Sequence, residues 1–357
     1  MKNIKLFLLA FALLWGALAC ADAGDDEYYY EDEAPAEETY SDPEESVATE
    51  EDMPEDVVSE DVVEGAVCID VTGQIMQTLE DGGASTEEYA DESVTVFEET
   101  PLVTYEVSGD QIANPSLEDV PAELEEQQSD EVTQEQIWEY YAALIPADRR
   151  NNIVQYSIFT DGVDNTLAMV SQTTTDPYTW ALQVDIADTA NYYSLTYTLI
   201  HEYGHLLTLG PDQVTPSEAV FNDPENVDIL NEEANACPDY FPGEGCSMPD
   251  SYINAFYNEF WTEIADENME ISYEEDPDVN QELLTAFYEK YQDQFVTEYA
   301  ATNPEEDITE SWTFFVLNDK PAGDSIAEQK VLFFYNYPEL VELRSVILSN
   351  LCTAFPK

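Results

Sequence analysis

The sequence predicts an α+β fold, with strands gathered before residue 187 and helices dominating after it. Three observations predict this. Segments rich in branched residues alternate between Ser93 and Ile186; an apolar helix from about Asn191 to Leu209 stops at Gly210-Pro211; and apolar faces at helical spacing recur to Leu351.

The 357 residues are 44% hydrophobic, enough for a sizeable core, so wholesale disorder is excluded. Charge is lopsided: 79 Asp and Glu face 9 Lys and Arg, a formal net charge of -70. No Lys or Arg lies between Lys5 and Arg149. A surface so anionic argues against nucleic acid and against docking on anionic lipid. It reads as adaptation to high salt, where counterions screen self-repulsion.

Residues 1–20 form a targeting segment. Lys2 and Lys5 precede an apolar run, Leu6 to Trp15, that is short for a membrane span. It ends in Ala17-Leu18-Ala19-Cys20, which resembles a bacterial lipoprotein signal with Cys20 as the lipidated residue. Plain secretion or a retained anchor are the alternatives. The chain is therefore expected to be exported and to meet the membrane only through that anchor.

Residues 21–65 hold 20 acids and no positive charge, and read as an extended acidic tether. The 66–130 segment reads as β-rich, with strands at Ser93 to Phe97 and Leu102 to Val107, then a polar linker over roughly 111–130. Its role stays open: prodomain, separate module or part of the C-terminal domain. From 131 the pattern firms into a 131–357 domain. Ile137, Trp138, Tyr141 and Leu144 share a helix face that Pro146 ends. Strands are expected at Ile153 to Phe159, Leu167 to Ser171 and Tyr178 to Ile186. The run from Asp161 to Asn165 between the first two reads as a hairpin turn rather than a calcium loop. Later helices are expected from Tyr252 to Ile264, through Leu283 to Phe295, from Pro304 behind an Asn303 cap, from Ser325 to Tyr337 and from Pro338 to Leu351.

Apart from Cys20, four cysteines remain. In an exported chain they read as two disulfides, Cys237 with Cys246 and Cys68 with Cys352; four buried thiols are the alternative.

The chemistry centres on His201-Glu202-Tyr203-Gly204-His205, which contains both histidines of the chain. Residues four apart share a helix face, so His201 and His205 can meet one metal ion. Glu202 can take a proton from a water that the metal polarises. This motif resembles that of the HExxH zinc metallopeptidases, the zincins. The run from Thr198 to Leu209 is similar to the motif helix of bacterial exported zinc-binding metallopeptidases. The resemblance covers roughly 131–351. It implies a small twisted sheet packed on the motif helix, and a strand at the cleft edge that pairs with substrate backbone. Tyr178 to Ile186 is the expected strand near that role.

Zinc needs a third protein ligand, with a fourth position left for water. The metzincin branch supplies a Gly and a His at positions held here by Thr208 and Pro211, so that branch is excluded. The gluzincin branch uses a Glu on a later helix. By that resemblance Glu310 is the third ligand and Asp307 a group that orients a ligand histidine. Asp212, Glu218, Glu232 and Glu233 are rivals, and Glu310 can also be read as a solvated acid. A donor to the transition state is expected among the 23 tyrosines, Tyr335 and Tyr337 included, without singling one out. The resulting expectation is a zinc-dependent endopeptidase acting on peptide or protein. The alternative is a zincin-fold surface lipoprotein that binds a partner without turnover.

Overall fold

Five strands build the main sheet: β1 (Thr100–Ser108), β2 (Gln111–Leu117), β3 (Ile153–Thr160), β4 (Ala168–Thr173) and β5 (Asp176–Asp185). Their order is β2-β1-β3-β5-β4. Only β3 and β5 run parallel; the other neighbours are antiparallel. The structure is a computed structural model and describes residues 66–82, 99–162, 166–274 and 276–356. The targeting segment with Cys20, the acidic tether, and the expected strand Ser93 to Phe97 lie outside the described residues.

Alternation decides which sheet face is buried. Tyr156 and Ile158 of β3 lie opposite Leu182 and Val184 of β5, and all four are buried. The helix α4 (Tyr192–Leu209) packs beside β4, and its buried Leu195, Leu199, Ile200 and Tyr203 join the same core. Asn191 starts α4 by accepting hydrogen bonds from the amides of Tyr193 and Ser194.

The chain N-terminal to the sheet differs from expectation. Residues 66–82 form a helix, α1 (Ala66–Gly82), packed on α4. Val67, Ile69, Val71, Thr72 and Ile75 give a strand-like composition, but burial of Val71 and Ile75 in the core overrides it. Tyr193 also donates to Gln74 at 2.6 Å. The expected linker holds β2 and the short helix α2 (Glu125–Gln128). Since β1 lies between β2 and β3, this region is part of the sheet. The 161–167 connection is not a hairpin, because β5 separates β3 from β4. Residues 163–165 within it lie outside the described residues.

Helices form where expected at α3 (Glu131–Leu144), α7 (Tyr252–Phe260), α9 (Pro277–Lys290), α10 (Pro304–Leu317), α11 (Ile326–Phe333) and α12 (Pro338–Ala354), while α5 (Glu218–Asn222), α6 (Val227–Ala236) and α8 (Ala265–Ser272) are helices that the pattern had not marked out. A small ribbon, β6 (Val214–Pro216) with β7 (Gly245–Ser247), closes the loop after α4. Cys237 and Cys246 form the expected disulfide there. Cys352 is also disulfide-bonded, while the Cys68 side chain lies outside the described residues. Among the described residues no helix is long and apolar enough to cross a membrane.

α10 is the second helix that matters. Asn303 caps it by accepting from the Glu306 amide at 2.8 Å, and Pro304 occupies its first turn. It packs closely on α4. A Cβ at Gly204 would meet Thr309 Cγ2 at 2.8 Å and Trp312 Cδ1 at 2.9 Å, so this crossing requires glycine.

Candidate metal centre

Two helices supply the centre, α4 with the histidines and α10 with the carboxylates. His201 Nε2 lies 3.1 Å and His205 Nε2 3.3 Å from the same oxygen, Oε2 of Glu306. One donor atom from each of the three residues falls within 4.8 Å of the others. A tetrahedral ion with bonds of about 2.0–2.1 Å spaces its donors about 3.3 Å apart, so two imidazoles and one carboxylate here fit zinc in spacing and in chemistry.

The outer nitrogens are also fixed. His201 Nδ1 lies 2.8 Å from Glu310 Oε1, and His205 Nδ1 lies 3.2 Å from Thr309 Oγ1. With the proton on each Nδ1, both rings donate outward and leave Nε2 free to bind metal. Glu310 is itself held, accepting from Tyr197 at 2.8 Å and from Thr297 at 2.6 Å.

The acid that faces the two Nε2 atoms lies one helical turn before the expected ligand Glu310. Glu306 faces both Nε2 atoms, and Glu310, 2% exposed, sits behind His201. Residues four apart share a face, so the sequence places both acids beside the histidines without saying which reaches Nε2. Asp307 does not orient a histidine. It accepts from Trp261 Nε1 at 2.7 Å and pairs with the buried Lys330. Asp212, Glu218 and Glu232 are exposed, and neither they nor Glu233 joins the cluster.

Electrostatics follows from burial and these contacts. Burial pushes Glu306 up, but His205 and His201 outweigh it and hold its carboxyl well below the usual range. Burial works against charge on His201, yet Glu306 and Glu310 raise its pKa well above the ordinary value. Glu202 is buried and raised, mainly by desolvation, with His205 and His201 opposing. Its Oε2 accepts the amide of Val170 at 2.9 Å.

Val170 belongs to β4, which makes β4 the sheet edge at this centre. The strand from Tyr178 to Ile186, expected in that role, corresponds to β5 and lies inside the sheet. Parallel pairing of β3 with β5 moves the intervening strand to the outside, an order that alternation cannot reveal.

Tyr299, 51% exposed, sets its ring 5.9 Å from that of His201. The Glu306 charge above all raises its phenol pKa far above the ordinary value. Tyr335 and Tyr337 pack instead against Phe315 and Phe333. Sequence reasoning missed Glu306, Tyr299, Tyr197 and Thr297. Only Glu306 carried a signal, its i−4 spacing from Glu310.

No family model, curated protein or solved structure matches the chain.

Proposed function

We propose that the protein is an exported, lipid-anchored, zinc-dependent endopeptidase of zincin-like fold. The observation that carries this reading is the meeting of His201, His205 and Glu306 around one point, with Glu202 buried next in sequence and an open sheet edge alongside. His201, His205 and Glu306 hold the metal, and Glu310 and Thr309 fix the two rings. Zinc, when bound, supplies a Lewis acid that polarises the scissile carbonyl and acidifies a water.

Glu202 takes the proton of the attacking water and later passes it to the leaving amine. The Val170 amide holds the Glu202 carboxylate toward β4, the edge along which an extended substrate would pair. Tyr299, with its ring 5.9 Å from that of His201, would serve as the hydrogen-bond donor to the oxygen that gains charge in the transition state. The Cys237–Cys246 disulfide suits an oxidising compartment outside the cytoplasm.

The test is cleavage of a diverse peptide mixture at low and molar salt, with a chelator control. Glu202→Gln should retain zinc and lose roughly 100- to 10,000-fold in rate, the usual range for a general acid–base group. Folded, zinc-loaded protein that shows no Glu202-dependent cutting at either salt overturns the peptidase reading and favours the partner-binding surface lipoprotein.

A further inference from the structure

Glu310 faces in two directions. Its Oε1 lies 2.8 Å from His201 Nδ1, and its Oε2 accepts from the hydroxyl of Thr297 at 2.6 Å. Thr297 lies just before the 3₁₀ turn Tyr299–Ala301. A threonine hydroxyl has one proton to give and can accept at the same time. Here it donates to Glu310 and accepts the amide of Ala300 at 3.1 Å. A single oxygen therefore joins the carboxylate that orients His201 to the backbone of the turn that bears Tyr299.

Neighbouring contacts show what is particular to this one. Tyr197 donates to both oxygens of Glu310, but from α4, the helix that already carries His201. The outer nitrogen of His205 meets Thr309 of α10, so the connection to the turn runs through His201. At the other end of the turn, Asn268 of α8 donates to the carbonyls of Ala301 at 3.2 Å and Thr302 at 3.1 Å. Ala300 and Ala301 are buried as well. The C-terminal end of the turn is thus anchored without the histidines, and its N-terminal end is tied to them through Thr297.

We propose that Thr297 is a positioning residue that couples metal loading to the turn bearing Tyr299. A metal on Nε2 fixes the His201 ring and strengthens its Nδ1 proton as a donor to Glu310. A Glu310 held in place favours the Thr297 contact, and that contact closes the turn on the centre. The coupling is reciprocal, so a closed turn also favours the metal. Tyr299 is then best ordered when the metal is present to need it. This rests on the metal-binding half of the reading above and not on turnover.

The amides of Ala301 and Thr302 read the turn directly. They bond to the carbonyls of Glu298 and Tyr299, each at 3.0 Å, so neither acceptor belongs to Thr297. Site-resolved hydrogen exchange is measured on the full chain, metal-free and saturated with zinc. Zinc should slow exchange at both amides about tenfold, within the usual range of coupling between sites. Thr297→Val, of the same shape, removes the hydroxyl and should lose that increment, while Thr297→Ser should keep it. Tyr197→Phe loosens Glu310 without touching the link and should keep most of it at saturating zinc. By reciprocity, Thr297→Val should weaken zinc by about the same tenfold. Zinc-bound wild type with unchanged exchange at these amides overturns the proposal and leaves the peptidase reading standing, whether or not any variant folds. So does a Thr297→Val chain that keeps the increment. A chain that takes up no zinc overturns both. Coupling without Glu202-dependent cutting would support this proposal and strike the peptidase reading alone.

Discussion

Glu305, Glu306 and Asp307 are consecutive, buried or nearly so, and meet three different environments. Glu306 turns toward α4 and two imidazoles, and is held well below the usual carboxylate range. Asp307 turns toward α7 and α11. There burial pushes it up to about 6 even with Lys330 and Trp261 bound to it. Glu305 turns toward the disulfide loop, where burial pushes it up to about 7 although Tyr240 donates to it. Burial raises all three, and only at Glu306, which faces two imidazoles, do the neighbours outweigh it; one lysine beside Asp307 does not. One turn of α10 can thus carry a ligand, a structural ion pair and an uncompensated acid.

The largest way to break this comparison is to remove the one resident cation. Lys330 is 0% exposed and sits over the rings of Phe295, Trp261 and Phe256. Lys330→Met should cost about 3–5 kcal/mol in denaturant unfolding, because Asp307 is left buried without its partner. Adding Asp307→Asn should recover much of that loss.

Glu244, on the loop that the Cys237–Cys246 disulfide closes, predicts a pH effect. Burial raises Glu244 from 4.5 to about 8. A native group that keeps its proton longer than the unfolded chain does stabilises below the unfolded pKa and loses that contribution as pH rises through the native one. Stability should fall between pH 4.5 and about 8, by up to a few kcal/mol. Equilibrium unfolding across that window should show the slope, and Glu244→Gln should flatten it.

Zinc titration sharpens the difference between Glu306 and Glu310. Removing an outer partner lowers metal affinity about 10- to 100-fold, which is the expectation for Glu310→Gln. Glu306→Gln should exceed it, by more than ~100-fold, since it removes the oxygen facing both Nε2 atoms. The reverse ranking would restore Glu310 as the ligand. The smallest effect belongs to Gly204→Ala. Its methyl must displace Thr309 and Trp312, at a cost of about 1–3 kcal/mol by thermal melting.

These three acids also show what sequence can and cannot say. The motif helix, its Gly-Pro stop, the strands from Ile153 onward and the Asn303-Pro304 start of α10 were legible, because period, caps and breakers are local. The choice between Glu306 and Glu310 was not, since helical spacing puts both on one face. Helix α1 was misread because its branched residues mimic a strand, and its burial on α4 is a long-range fact. Strand order was hidden for the same reason: alternation marks faces, not neighbours.

The place of β1 limits how this chain can mature. With β1 and β2 lost, β3 would become a bare edge lined with unsatisfied amides and carbonyls, a template for sticking to other chains. A clip anywhere between β1 and α3 would leave the severed piece stitched in by ladder hydrogen bonds rather than free to diffuse off. Activation by shedding a propeptide that ends near residue 130 is therefore closed to this architecture, and any trimming that preserves the sheet must cut ahead of Thr100.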